Sequence, residues 1–217
     1  AAQAAAAPEC GCFKIKVAGD PATDIARVRA IYAARPDATL WLDANQSYQP
    51  ALLVPFLAGI REIPTLFCLE QPVRSVDWLG LRLARERSPL PVAIDEGCFS
   101  SHDVARVAEL RAAELVVLKV CKSGGLRECL KSAAVADAHG LGLLGSGLTE
   151  SGVGFVASLH FFAAVGTLLP PELNGVQFLE SMWVEGLQQE GSRVQVPEGP
   201  GLGVRVDEAA IRRHALP

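Results

Sequence analysis

Short β-rich apolar runs alternate along this chain with longer stretches whose apolar residues recur at helical spacing. The runs Phe13–Val17, Thr39–Asp43, Thr65–Glu70, Pro91–Asp95 and Leu115–Val120 predict strands, and weaker ones lie near Leu141–Gly145 and Thr167–Leu169. Residues 22–34 place Ile25, Val28 and Ile31 on one helical face, opened by Asp20 as a cap and Pro21 in the first turn. Residues 101–112 do the same with Val104, Val107 and Leu110, behind Ser100 and Ser101. Residues 125–139 carry Leu126, Leu130 and Ala134, and His139-Gly140 stops them.

Strand and helix repeat with a period of about 25 residues, which predicts right-handed βαβ units and a parallel sheet. A doubly wound sheet and a TIM-type barrel both satisfy that pattern. Gly140, Gly142 and Gly145 fit G-x-G-x-x-G literally. They fall at a helix end and inside the next strand, however, not between a strand and its following helix, so the dinucleotide reading is weak.

A charge closes each of the first five strands: Lys14 and Lys16, then Asp43, Glu70, Asp95 and Lys119. The separations are 27, 27, 25 and 24 residues (16 to 43, 43 to 70, 70 to 95, 95 to 119). A strand of a parallel sheet is covered on both faces, so an unpaired charge within it is costly. At the C-terminal mouth of a barrel such side chains converge, and active sites are built there. Any one of these residues alone reads equally well as a helix cap or a solvated end. Six charges in register favour a metal-dependent active site, or what is left of one.

Composition narrows the setting. Half of the 217 residues are hydrophobic and 20% are charged, too apolar for disorder and long enough for a sizeable core. The net charge is −4 and no Lys/Arg cluster appears, which argues against a nucleic-acid partner. No apolar run approaches a membrane span, and the first ten residues lack the basic start of a secretory signal. Six irregularly spaced cysteines predict free thiols in a reducing cytoplasm.

Three carboxylates from neighbouring strands are a donor set for a hard divalent cation. His102, His139, His160 and His214 all fall on helices or the tail, which favours magnesium, with manganese next, over zinc. A lysine beside a cation and a second lysine is a base near neutral pH, and with the metal it suits removal of a proton next to a carboxylate.

The ordered set Lys14-Ile15-Lys16, Asp43-Ala44-Asn45, Glu70-Gln71-Pro72, Asp95-Glu96 and Lys119 through Gly125 resembles the enolase superfamily, in its muconate-lactonizing-enzyme-like subgroup. Leu148 through Gly152 and Pro197 through Val204 extend the resemblance over nearly the whole chain. It implies that Asp43, Glu70 and Asp95 bind magnesium and that Lys16 and Lys119 face each other across the substrate as acid/base catalysts. Lys14 would join them in the catalytic set, supporting Lys16 and helping to stabilise the enolate. Asn45 and Glu96 would make lesser contacts, and Glu150 would touch substrate or the catalytic groups. Cys121 shares the face of Lys119, with a packing role expected, and Lys122 is expected in the turn that follows, outside the chemistry. The reaction would be racemisation or epimerisation, dehydration or cycloisomerisation of a small carboxylate, with a lean toward amino-acid-like substrates. The family's barrels commonly associate, which implies a homo-oligomer.

The family's barrel follows a capping domain. Here residues 1–12 resemble the end of the first barrel helix, 13–184 barrel units two to eight, and 185–217 an extension packing on the barrel or cap. The expected fold is therefore a TIM-type barrel without its N-terminal capping domain and first strand. The rival expectation is an inactive truncated barrel, or one piece of a split assembly. A metal-free phosphate-binding barrel is weaker, because no basic cluster follows the last strands.

Overall fold

The computed structural model describes residues 1–215, and Leu216 and Pro217 at the end of the expected extension lie outside the described residues. Seven parallel strands form one sheet in chain order: β1 (Cys12–Lys16), β2 (Thr39–Asp43), β3 (Leu66–Glu70), β4 (Val92–Ile94), β5 (Leu115–Leu118), β6 (Gly142–Thr149) and β7 (Glu172–Asn174). The sheet curls into a nearly closed barrel. Lys14 on β1 reaches Glu172 on β7 at 3.3 Å, yet among the described residues β1 pairs only with β2 and β7 only with β6.

A short helix α1 (Ala2–Ala5) precedes β1. The crossovers are α2 (Pro21–Ala34), α3 (Pro50–Ile60), α4 (Trp78–Arg87), α5 (Ser101–Leu110), α6 (Leu126–Ala138) and α7 (Gly152–Val165). Their starts and stops follow from local chemistry. The Asp20 side chain accepts from the Thr23 N–H ahead of Pro21. Ser100 and Asp103 form a reciprocal capping box on α5. Gly140, at φ +68°, takes the left-handed turn after α6.

Period-two alternation sorts the strand residues into two layers. Trp41, Cys68, Ala93, Leu115, Val117 and Leu144 fill the barrel interior. Leu40, Leu42 and Leu69 pack outward under α2 and α3, and Val92, Ile94, Val116 and Leu118 under α5 and α6. Two residues beyond an inward apolar residue the next inward position is reached, at the mouth. Trp41 is thus followed by Asp43, Cys68 by Glu70, Ala93 by Asp95 and Val117 by Lys119.

The last strand corrects the sequence reading. Thr167–Leu169 is a bend, and the strand forms at Glu172–Asn174, beyond Pro170 and Pro171. β6 also runs past the expected Gly145 to Thr149.

After β7 the chain builds two small antiparallel ladders, β8 (Val184–Glu185) with β11 (Arg205–Val206) and β9 (Gln188–Glu190) with β10 (Arg193–Gln195), and ends in α8 (Glu208–His214). This tail packs on α7: the His160 ring nitrogen lies 3.1 Å from the Leu202 carbonyl, and Met182 and Val184 leave no room for a side chain at Gly152. No helix among the described residues is long and apolar enough to cross a membrane.

Candidate active site

Asp43, Glu70 and Asp95 stand at the ends of β2, β3 and β4, and all three are fully buried. Their neighbours are lysines. Lys16 Nζ donates to Asp43 Oδ2 at 2.5 Å and to Asn45 Oδ1 at 2.6 Å. Lys14 Nζ lies 3.0 Å from Asp43 Oδ2 and 3.1 Å from Glu70 Oε1. Lys119 Nζ donates to Asp95 Oδ2 and Lys122 Nζ to Asp95 Oδ1, each at 2.6 Å.

The charges shift one another. For Lys14, burial opposes the ammonium, but Glu70, Asp43 and Glu172 outweigh it and raise its pKa. For Lys119, burial again opposes and Asp95 wins, raising it. Burial works against an ionised Asp43, yet Lys14 and Lys16 hold its pKa below the usual carboxylate range. Asp95 falls to about 2, because Lys122 and Lys119 outweigh its burial. Glu70 goes the other way: burial, with Asp43 and Asp95 nearby, lifts it well above normal despite Lys14. The expectation of a base near neutral pH concerns a lysine beside a divalent cation; with carboxylates alone as partners, Lys14 and Lys119 are shifted up instead. Carboxylates within 2.6–3.3 Å dominate both.

The loops after β2 and β3 hold this arrangement under strain. Asn45, Gln46 and Gln71 have φ of 39°, 69° and 35°, a left-handed region that side chains rarely adopt. The strain is offset by hydrogen bonds. Asn45 N–H donates to Asp43 Oδ1 at 2.9 Å and its amide nitrogen to Glu96 Oε1 at 2.8 Å. Gln71, fully buried, accepts from the Asp95 and Gly97 N–H groups at 2.9 and 3.1 Å.

Among the described residues no three carboxylate, imidazole or thiol groups close around one point at ligand distance. The reason is visible: ammonium groups occupy the space between the carboxylates. The chemistry nevertheless fits a hard cation, with three fully buried carboxylates and no histidine among them. Glu70 Oε2 in addition has no hydrogen-bond donor, although Lys14 Nζ is 3.0 Å away. That oxygen has the Lys14 charge beside it but no aligned donor, a lone pair that a divalent cation would take.

The mouth opens into a cavity of about 530 Å³ lined by Lys14, Lys16, Asn45, Asp95, Glu96, Lys119 and Cys121. Lys16 and Lys119 enter it from β1 and the end of β5, on either side of the acidic strands. Cys121 is exposed there, not packed, because the chain has already left β5 for the turn. Glu150 sits behind the wall: its Oε2 accepts from Ser158 on α7 at 3.0 Å, and its Oε1 has no partner. Burial, together with the Glu150 carboxylate beside it, raises the Cys121 thiol.

One residue at this site, Glu172, escaped the sequence reading, and Lys122 and Gln71 make contacts it did not assign. Glu172 lines the cavity, accepts from Ser146 Oγ at 2.6 Å and pairs with Lys14. Its signal was the repeat itself, since it stands 26 residues after Ser146. Lys122 lies in the turn as expected, but binds Asp95. Gln71, quoted only as part of a motif, holds the Asp95 backbone.

Comparison with known proteins gives a consistent picture. The family described as "Enolase C-terminal domain-like" matches residues 1–210. The chain is 34% identical over 195 residues to the L-Ala-D/L-Glu epimerase of Clostridium acetobutylicum, covering 88% of this chain and 54% of that protein. It is 31% identical over 207 residues to muconate cycloisomerase 1 of Pseudomonas putida, covering 94% and 55%. Among solved structures, a dipeptide epimerase from Cytophaga hutchinsonii, complexed with Mg and the dipeptide D-Ala-L-Val, superposes with a TM-score of 0.90 at 26% identity, covering 98% of this chain and 59% of that one. The chain thus spans about half the length of the curated relatives it matches.

Proposed function

This chain belongs to the enolase superfamily, in its muconate-lactonizing-enzyme-like subgroup, and we propose that it epimerises a small amino-acid-like carboxylate, such as a dipeptide, by moving the proton next to a carboxyl group. The observation that carries the proposal is the placement of Lys16 and Lys119 in one cavity, on either side of the acidic strands. One lysine as free amine takes the proton from one face of the carbon, and the other as ammonium returns a proton to the opposite face. The substrate is inverted and the lysines exchange protonation states. Asp43, Glu70 and Asp95 would hold Mg2+ (Mn2+ also suits the donors), supplying charge stabilisation for the ene-diolate oxygens.

Lys14 neutralises Asp43 and Glu70 within this scheme, and Asn45 orients Lys16 through its 2.6 Å contact. Glu172 supports the amino-acid-like substrate over a dicarboxylate. Its side chain is 30% exposed at the cavity, an anion able to pair with a substrate ammonium. A cytoplasmic setting, supported by six unpaired thiols, and a homo-oligomer belong to the same proposal.

The test is mass-spectrometric detection of deuterium uptake from deuterated water, with Mg2+, across amino acids, dipeptides and lactones. Exchange at the carbon next to the carboxylate of a dipeptide supports the proposal. Exchange on no compound overturns it.

The unpaired edges of β1 and β7 favour a second reading, in which the chain acts only with a complementing segment. Exchange that appears only in longer forms of the protein would select it.

A further inference from the structure

Asp95 is held from three sides, and the grip leaves one of its oxygens different from the other. Gln71 Oε1 accepts the Asp95 N–H at 2.9 Å. Lys122 Nζ donates to the Asp95 carbonyl at 2.6 Å, to its Oδ1 at 2.6 Å and to the Val117 carbonyl at 3.2 Å. That ammonium is almost enclosed, with 8% of its side chain exposed, and it lies 5.8 Å over the Phe99 ring. Its three donors are saturated by buried backbone and carboxylate oxygens from the ends of β4 and β5. Only Oδ2 remains, and it is bound by Lys119; both lysines border the cavity, but Lys119 holds Asp95 through this one oxygen alone.

We propose that Lys122 is a positioning residue that fixes Asp95 as a one-oxygen metal ligand. By locking Oδ1 and the backbone, it turns Oδ2 toward the mouth and forces Lys119 and the cation to compete for that single atom. The inference rests on the reading of Asp43, Glu70 and Asp95 as metal ligands. Lys119 would then be freed for proton transfer by metal binding, whereas Lys122 keeps its hold in both states. This explains why two lysines three residues apart meet one aspartate: one is released and the other is not.

Two effects of removing Lys122 have opposite signs, which makes the proposal testable. Loss of a positive charge near a cation site tightens metal binding, while loss of the clamp frees Asp95 to rotate and weakens it. Groups that orient a ligand of this kind are worth about 10- to 100-fold in metal affinity. The positioning role therefore predicts that Lys122→Met weakens binding by at least about tenfold.

The experiment measures Mn2+ dissociation constants by electron paramagnetic resonance, with melting temperatures alongside, for the wild type, Lys122→Met and Lys122→Arg. The expected result is weakened binding in a folded Lys122→Met protein and partial recovery in Lys122→Arg, which keeps donors at that point. Should Lys122→Met fail to fold, Lys122→Arg alone decides, since a longer, planar guanidinium cannot meet all three acceptors as a compact ammonium does and still weakens Mn2+ relative to wild type. Unchanged or tighter Mn2+ binding in the folded variants overturns the proposal and makes Lys122 a mere counter-charge. Absence of Mn2+ binding by the wild type overturns the metal-site reading itself, a separate outcome.

Discussion

The ammonium of Lys14 stands between Asp43 and Glu70, 3.0 Å from Asp43 Oδ2 and 3.1 and 3.0 Å from the two oxygens of Glu70. Only 7% of the Lys14 side chain and none of either carboxylate is exposed. The 4.6 Å approach of the same ammonium to the Trp41 ring completes its enclosure. One lysine is thus the internal counter-ion for two candidate metal ligands.

Removing that counter-ion leaves two buried carboxylates facing each other. Lys14→Met is expected to destabilise the metal-free protein by about 3–5 kcal/mol, the usual cost of breaking a buried ion pair from one side. Divalent cation then replaces the lost charge. Thermal melts with and without Mg2+ should show a larger rise for the variant than for the wild type. Equal rises would mean that Lys14 and the metal do not share these carboxylates.

Glu70 gives the opposite stability effect. Its folded pKa lies above its unfolded value of 4.5, so its contribution to stability is fully present below that value and is lost as pH rises through the folded pKa. Glu70→Gln removes this loss. The variant should be more stable than the wild type at neutral and higher pH without metal, and its stability should depend less on pH. It should also bind Mg2+ far more weakly, which calorimetry measures. A variant with the wild-type pH slope would show that Glu70 is not the group responsible.

Why some of this was legible in the sequence, and some not, has a physical basis. Inward positions repeat every second residue, so Trp41-Leu42-Asp43 and Ala93-Ile94-Asp95 expose their plan directly, and Lys14-Ile15-Lys16 likewise. The helices α3 and α7 were not distinguished because PALLVPFLAGI and GVGFVASLHFFAAV are apolar on nearly every side, leaving no face to contrast. β7 was misplaced because Glu172-Leu173-Asn174 is two-thirds polar and follows two prolines, which reads as a loop. With that strand went Glu172. The roles of Gln71 and Lys122 depend on which neighbouring strand end they reach, a contact 24 and 27 residues away that no local pattern encodes.

The two-lysine scheme makes a stereochemical prediction. Lys16→Ala and Lys119→Ala should each lose epimerisation by at least about 10²-fold, the lower range for removing a positioned acid or base. Each should still exchange deuterium into one enantiomer, and the two variants should prefer opposite enantiomers. Chiral chromatography with mass detection reads both quantities. If both variants exchange the same enantiomer, the lysines do not serve opposite faces.

Glu172 tests which carboxylates fit the cavity. It is bound to Lys14 at 3.3 Å, to Ser146 at 2.6 Å and to Asn174 at 2.6 Å, so its position is fixed before any substrate arrives. Glu172→Gln keeps the shape and removes the charge. A hydrogen bond to a charged group is worth about 1.5–3 kcal/mol, so kcat/KM for a dipeptide with a free amino group should fall at least about tenfold. The same substitution should change kcat/KM much less for an N-acetylated dipeptide, which carries no ammonium. Loss of Lys14 pairing would affect both substrates alike, so the ratio between them isolates the contact with substrate. Equal losses on the two would place Glu172 among the groups that merely neutralise Lys14, and would remove the main support for an amino-acid-like substrate.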